Sequence, residues 1–219
     1  MEKEIKIDSK TCLDQRLENF ELKEFIEKTL NKVKEELTIL RKTIYNYKEH
    51  HYLFALNERA WVGIINNAII KAFPKNSSTL QEFSVTNQKG FVGRADFLVC
   101  WKNKTGKEYY LLFEAKQYEE KNISKIYDDP KDDYCRVFDQ AQKYYEAEFS
   151  YYKSKKVYII PIFIGWIRSN PKLLQKAKEY FTIKEKTDKS TDFCCLYYEG
   201  DYGTWIYGKI CLPKTVKKS

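Results

Sequence analysis

Three residues near the middle of the chain are placed to do chemistry. Asp96 lies in Gly93-Arg94-Ala95-Asp96-Phe97-Leu98-Val99, and Glu114 and Lys116 close the run Tyr109-Tyr110-Leu111-Leu112-Phe113-Glu114-Ala115-Lys116. Both runs read as strands. Side chains alternate along a strand, so Glu114 and Lys116 share one face while Phe113 and Ala115 take the other. Leu111-Leu112-Phe113 has the continuous apolarity of a strand buried on both faces, where an unpaired ion is costly. Charge at the end of such a run needs a use. Two carboxylates that bind a hard cation through oxygen, beside a lysine that orients water or offsets charge, are the parts of metal-assisted phosphodiester hydrolysis.

Those residues need elements to hold them. A polar loop, Lys75 to Thr79, precedes a strand around Glu82 to Thr86. Asn87-Gln88-Lys89-Gly90 turns the chain into the Asp96 strand, and Lys102-Asn103-Lys104-Thr105-Gly106 turns it back into the Glu114 strand. Three strands joined by short turns predict an antiparallel meander. Before them, a helix is expected from about Tyr52 to Phe73, stopped by Pro74. On its wheel Glu58 falls among Phe54, Trp61, Val62, Ile65 and Ile69. A carboxylate inside an apolar stripe is rare, and Glu58 reads either as a third metal ligand or water-fixing group, or as a salt-bridge partner of Arg94.

Downstream, Asp128-Asp129-Pro130-Lys131-Asp132-Asp133 lacks the ligand spacing and central glycine of a calcium loop and suits a helix N-terminus. A helix from Tyr134 to about Tyr151 carries Val137, Phe138, Ala141, Tyr144 and Tyr145 on one side. Val157 to Ile164 reads as a buried strand in which Pro161 argues for a bulge or an edge. A short helix, Pro171 to Phe181, precedes a hairpin that joins Phe193–Tyr198 to Thr204–Tyr207 through Gly200 and Gly203, and the lysine-rich tail after Pro213 is expected to fray.

At the other end, Ser9 to about Lys48 reads as one long helix. Leu13, Leu17, Phe20, Ile26, Leu30, Val33, Leu37, Leu40 and Ile44 recur at steps of mostly three and four. From Leu30 the seam narrows to a heptad-like stripe, which fits either a coiled coil with a partner or a helix capping its own domain.

Composition sets outer bounds. The 219 residues suffice for one domain with an appendage, and 43% hydrophobic with 32% charged residues is globular usage. The chain opens Met1-Glu2-Lys3-Glu4 and holds no apolar run of membrane-spanning length, so a cytoplasmic protein with no membrane partner is expected. A net charge of +8 favours a polyanionic partner. Lys102, Lys104 and Lys107 are candidates to reach phosphates, or are simply a solvated turn. The six cysteines show no C-x-x-C spacing, which argues against zinc or iron-sulfur sites and for reduced, structural thiols. Adjacent Cys194 and Cys195 should face opposite ways.

These elements and residues resemble the PD-(D/E)XK nuclease superfamily. Gly93-Arg94-Ala95-Asp96 looks like the strand that bears its aspartate, Glu114-Ala115-Lys116 like its (D/E)-x-K element, and Glu58 like its helical glutamate. Gly93, three residues before Asp96, and Gln140-Ala141-Gln142-Lys143-Tyr144, a Q-x-x-x-Y helix, are similar to the RecB-like members. The resemblance spans roughly Leu53 to Ile164.

It implies an α/β fold: a restriction-endonuclease-like mixed β-sheet built in the order helix, three strands, helix, strand and flanked by helices. Residues 1–50 would form an N-terminal helical appendage able to join a homodimer or a partner protein. Residues 51–219 would form the nuclease domain with its C-terminal hairpin. It also implies a Mg²⁺- or Mn²⁺-dependent endo- or exonuclease on nucleic acid, DNA before RNA, of the kind used in restriction or antiviral defence. Asp96, Glu114 and the Ala115 backbone carbonyl would hold the metal, Glu58 would complete or tune the site, and Lys116 would position or deprotonate the attacking water. Gln117, Gln140 and Tyr144 would contact the scissile region or brace the site. The competing expectation is a catalytically silent nucleic-acid-binding or assembly module on the same fold.

Overall fold

Leu111, Leu112 and Phe113 are all buried, as a run apolar on both faces requires. The strand that carries them, β4 (Glu108–Tyr118), lies inside a seven-stranded sheet. The computed structural model describes residues 7–13, 19–44, 56–87, 90–118, 131–149, 156–167, 170–183 and 192–214. The other strands are β1 (Asp8–Leu13), β2 (Ser77–Asn87), β3 (Gly90–Lys102), β5 (Lys156–Ile167), β6 (Phe193–Glu199) and β7 (Tyr202–Gly208). The sheet order is β1-β6-β7-β5-β4-β3-β2. Among the described strands only β4 and β5 pair in parallel, and every other neighbour is antiparallel.

Among the described residues four α-helices cover the sheet: α1 (Phe20–Ile44), α2 (Glu58–Ala72), α3 (Lys131–Tyr144) and α4 (Pro171–Ile183). α3 runs on into a π-helical turn, Tyr145–Phe149. α1 and α2 bury Phe25, Leu30, Val33, Trp61, Ile65 and Ile69 against one sheet face, with Phe97, Phe113 and Ile162. On the other face Ala141 and Tyr144 of α3 pack on Ala95, Leu112 and Ile159, while Leu174 and Ala177 of α4 pack on Phe163, Trp205 and Tyr207. The result is a helix-sheet-helix sandwich. The antiparallel meander β2-β3-β4 and the helical crossover from β4 to β5 are as the sequence predicts.

The N-terminal third differs from expectation. Residues 8–13 form a strand, not the start of a helix, because Thr11 and Cys12 can pair with Cys195 and Cys194 of β6. The helix begins only at Phe20, where the Asn19 side chain accepts from Leu22 N at 3.2 Å, a capping contact. Its apolar seam is not left for a coiled-coil partner. It is buried inside the chain's own core, the Leu30 carbonyl accepts from the Tyr197 hydroxyl at 2.8 Å, and the half-exposed Lys71 of α2 reaches Glu36 at 2.8 Å. Residues 8–13 and 20–44 therefore contribute to the same sheet and core as the rest, in place of the expected helical appendage. The positions assigned to residues 45–48, to Tyr52–Phe54 and to the helix-start acids at 128–130 lie outside the described residues.

Three smaller corrections follow from pairing. β2 begins at Ser77, so most of the expected loop is strand. The C-terminal hairpin is built into the main sheet and does not stand beside it: β7 pairs with β5 and β6 with β1. Pro161 sits inside β5, opposite Glu114 of β4. Its missing donor does no harm there, because β7 pairing ends at Ile162 and the segment beside Pro161 is an irregular stretch in which Lys209 N bonds the Pro161 carbonyl at 3.2 Å. Cys194 and Cys195 are buried in clusters on opposite faces, as alternation requires. Among the described residues no helix is long and apolar enough to cross a membrane.

The contact of β7 with β5 is tight. A Cβ at Gly165 would lie 1.9 Å from Trp205 Cζ2. Gly165→Ala is expected to lower stability by about 1–3 kcal/mol through overpacking, read as a lower Tm in thermal denaturation. An unchanged Tm would contradict this packing.

Candidate active site

β3 and β4 pair only from Phe97 to Lys102, opposite Phe113 to Glu108. Beyond that point they part, and Asp96 and Glu114 are the first residues past the last pair. The inward packing of β3 also changes side here, since Phe97 joins the α1/α2 core and Ala95 the α3 core. On β2, the residue between those facing Phe97 and Ala95 is Glu82. Its φ of 43° makes it the one non-glycine with positive φ among the described residues, a conformation that costs on the order of 1 kcal/mol.

Parting leaves backbone donors of β4 without a strand to bond, and carboxylates take them. Asp96 Oδ2 accepts from Ala115 N at 2.6 Å, and Glu58 Oε2 accepts from Gln117 N at 2.8 Å. In a strand the N–H and C=O of one residue point the same way, so the Ala115 carbonyl also faces the fork on the Asp96 side. Glu114 shares its face of β4 with Leu112 and looks toward α3, where the Gln140 amide donates to Oε1. Gln140 also donates to the Tyr144 hydroxyl at 3.0 Å. Tyr144 is buried over Gly93, where a Cβ would lie 2.7 Å from its ring and hydroxyl, and its oxygen takes the Arg94 backbone N–H. The glycine three residues before Asp96 and the tyrosine of the Q-x-x-x-Y helix are thus two halves of one contact.

Each of the three carboxylates commits one oxygen to an internal donor. The other oxygens, Oδ1 of Asp96, Oε1 of Glu58 and Oε2 of Glu114, have no hydrogen-bond partner among the described residues, and Glu114 Oε2 is fully buried. The electrostatics follow. Burial pushes the Asp96 carboxyl up to about 6, Glu58 and Glu82 add to the push, and the Ala115 N–H and the Lys116 ammonium oppose it. Burial pushes Glu114 up to about 9, helped by the Asp96 and Glu58 charges, against the Asp96 backbone N–H and the Gln140 amide. Burial, then the Glu114 charge, raises the Tyr144 hydroxyl as well. Acids held this way are short of positive charge.

The structure therefore brings Asp96, Glu114, the Ala115 carbonyl and Lys116 to one place, with Lys116 exposed and unbonded among the described residues. Glu58 differs from expectation. It is the first residue of α2, behind the Asn57 cap that accepts from Ala60 N at 2.9 Å, and does not lie within the apolar stripe. It binds neither Arg94 nor a three-acid ligand group: among the described residues no three His, Cys, Asp or Glu side chains are arranged to hold a metal ion. Gln117 is a brace, its amide donating to the Leu56 carbonyl at 2.7 Å. Lys102, Lys104 and Lys107 sit at the far end of the strands and pair with Glu108, Glu24 and Glu21 at 3.1, 3.2 and 3.5 Å, which is the solvated-turn reading. Glu82 and Arg59 escaped the sequence reading, since a lone acid in an expected strand and an arginine beside Glu58 carry no local signal.

The fold and site together define a mixed α/β protein with an electron-rich carboxylate cluster at the fork of its sheet. Comparison of the chain with protein-family models, with curated proteins and with solved structures finds no match.

The raised acids predict a pH dependence with a definite sign. Folded Glu114 and Asp96 hold protons that the unfolded chain releases, so metal-free stability falls as pH rises from about 4.5 toward 9. Glu114→Gln should remove most of that slope and raise Tm at pH 8 while changing it little at pH 4.5. The gain at neutral pH is on the order of 3 kcal/mol. Parallel Tm profiles for the two proteins would refute the assignment.

Proposed function

We propose that the chain is a metal-dependent nuclease of the PD-(D/E)XK type that hydrolyses phosphodiester bonds, with DNA favoured over RNA. The observation that carries this reading is the set of uncommitted oxygens: Asp96 is oriented by the Ala115 N–H, Glu114 by the Gln140 amide and the Asp96 backbone N–H, and each keeps an oxygen with no hydrogen-bond partner among the described residues. Ligands fixed by such supporting bonds are what a divalent-ion site needs, and the raised proton affinity of both acids marks a place that a cation would relieve. The element order α2, β2-β3-β4, α3, β5 also agrees with the expected core.

Asp96, Glu114 and the Ala115 carbonyl would hold Mg²⁺ or Mn²⁺, an all-oxygen set suited to a hard cation. When bound, the ion supplies Lewis acidity toward the phosphate and its leaving oxygen. Lys116, on the same face as Glu114, orients the attacking water and offsets charge as the phosphorus becomes five-coordinate. Gln140 and Tyr144 fix the Glu114 rotamer, and Gln117 with Glu58 fixes the end of β4 against α2. Glu58 tunes the site by its charge.

One observation favours a second reading. The Asp96 and Glu58 carboxylates each cap a backbone N–H that the parting strands leave open, a role that a silent nucleic-acid-binding or assembly module would also need. The two readings separate in one experiment. The protein is incubated with single- and double-stranded DNA and RNA plus Mg²⁺ or Mn²⁺, beside Glu114→Ala and Lys116→Ala. Cleavage by the wild type, reduced at least a hundredfold in either folded variant, is expected. A metal-dependent rise in Tm that Asp96→Ala abolishes should accompany it. No metal-dependent Tm shift and no cleavage would leave the silent module.

A further inference from the structure

Two arginines from different elements meet at the rim of the fork. Arg59 follows Glu58 in the first turn of α2, and Arg94 precedes Asp96 by two residues on β3. Both reach the carboxylate of Glu82, Arg59 Nε to Oε1 at 3.3 Å and Arg94 Nη1 to Oε2 at 3.5 Å. Their side chains are 78% and 56% exposed, and Glu82 is 42% exposed. Glu82 is the residue with φ of 43°, and it lies between the two β2 residues that face Phe97 and Ala95.

The arrangement is unusual for a stabilising ion pair. Long, exposed pairs add little to stability, yet here a strained residue holds two guanidinium groups, one on each of its oxygens, and its charge is felt at Asp96. Positively charged forks beside a phosphodiester-cleaving centre have an obvious ligand, because guanidinium matches phosphate oxygens in geometry and charge. The backbone of Arg94 is also held in place, since Tyr144 takes its N–H and packs over Gly93. What stays exposed is the side chain.

We propose that Arg59 and Arg94 are a phosphate clamp for the nucleic-acid backbone next to the scissile bond, and that Glu82 occupies the clamp until a phosphate displaces it. This rests on the nuclease reading for the identity of the ligand, and it assigns the substrate contact of that site. Glu82 acts as an internal competitor. Its exposed, long pairs exchange readily for shorter ones to a phosphodiester, and the exchange moves a negative charge away from Asp96 as substrate arrives.

The test is binding, measured apart from cleavage. Affinity for oligonucleotides of one sequence, as single- and double-stranded DNA and RNA, is determined with Ca²⁺ in place of Mg²⁺ over a range of salt. Each lost phosphate contact lowers the slope of log affinity against log salt by about 0.7 for single strands and 0.9 for duplex. Arg59→Ala and Arg94→Ala should each lower it by about that amount, and the double variant by about twice as much. Glu82→Gln should tighten binding severalfold. Lys102→Ala with Lys104→Ala, an equal loss of charge at the far turn, should leave the slope unchanged.

An arginine pair whose removal lowers Tm without moving the slope would overturn the clamp, as would a wild type that binds no nucleic acid. The far-turn lysines moving the slope as much as the arginines would also overturn it. Loss of slope in the arginine variants together with no cleavage under Mg²⁺ or Mn²⁺ would keep the clamp and overturn the nuclease reading instead.

Discussion

The separation of β3 from β4 just past Phe97 and Phe113 is the constraint on which the rest of the site depends. Two paired strands satisfy each other's backbone; two parting strands cannot, and every freed donor that stays partly buried must find another acceptor. The chain supplies that acceptor as a carboxylate on each occasion. Asp96 takes the Ala115 N–H and Glu58 the Gln117 N–H, so the defect in the ladder and the gathering of negative charge are one event. Had the ladder continued, Asp96 would face a neighbour strand and Glu114 would be an unaccountable ion in a core.

The same fork explains why residues distant in sequence act together. Glu114 points to α3 because its strand alternation puts it with Leu112, and α3 answers with Gln140 and Tyr144. Tyr144 in turn can lie flat on β3 only because residue 93 has no side chain. Burial then does the electrostatic work. The site holds carboxylates in a medium that screens them poorly, which raises their hold on protons and equally their appetite for any other cation.

Much of this was legible in the sequence, for local reasons. Period-two alternation and turn chemistry located β3 and β4, the apolar run Leu111 to Phe113 announced a strand buried on both faces, and the same alternation placed Glu114 with Lys116. Asp96 reaches the backbone beside Glu114, and the two charges act on each other. What failed was everything set by long-range pairing. Residues 8–13 carry a helix-compatible pattern, and only β6, far along the chain, makes them a strand. A helical wheel sets Glu58 among apolar neighbours, yet the Asn57 cap starts α2 immediately before it, so its role comes from facing the end of β4 and not from its neighbours on the helix. Glu82 and Arg59 belong to a contact among β2, α2 and β3 that no stretch of sequence contains. The seam of α1 lies where the spacing puts it, and of its two readings the helix that caps its own domain is the one found, because a stripe does not say whose core it will enter.

The pairing of β1 with β6 has a consequence for how the chain reaches this state. Thr11 and Cys195 touch across a sequence separation of 184, and α1 gains its Tyr197 contact from the same late strand. Loops of that length close slowly, and topologies that depend on them fold slowly. During synthesis the first strand must wait, unpaired, until the hairpin has left the ribosome, while the seam of α1 can already pack on α2, so β1 is the edge a chaperone or a neighbouring nascent chain meets first.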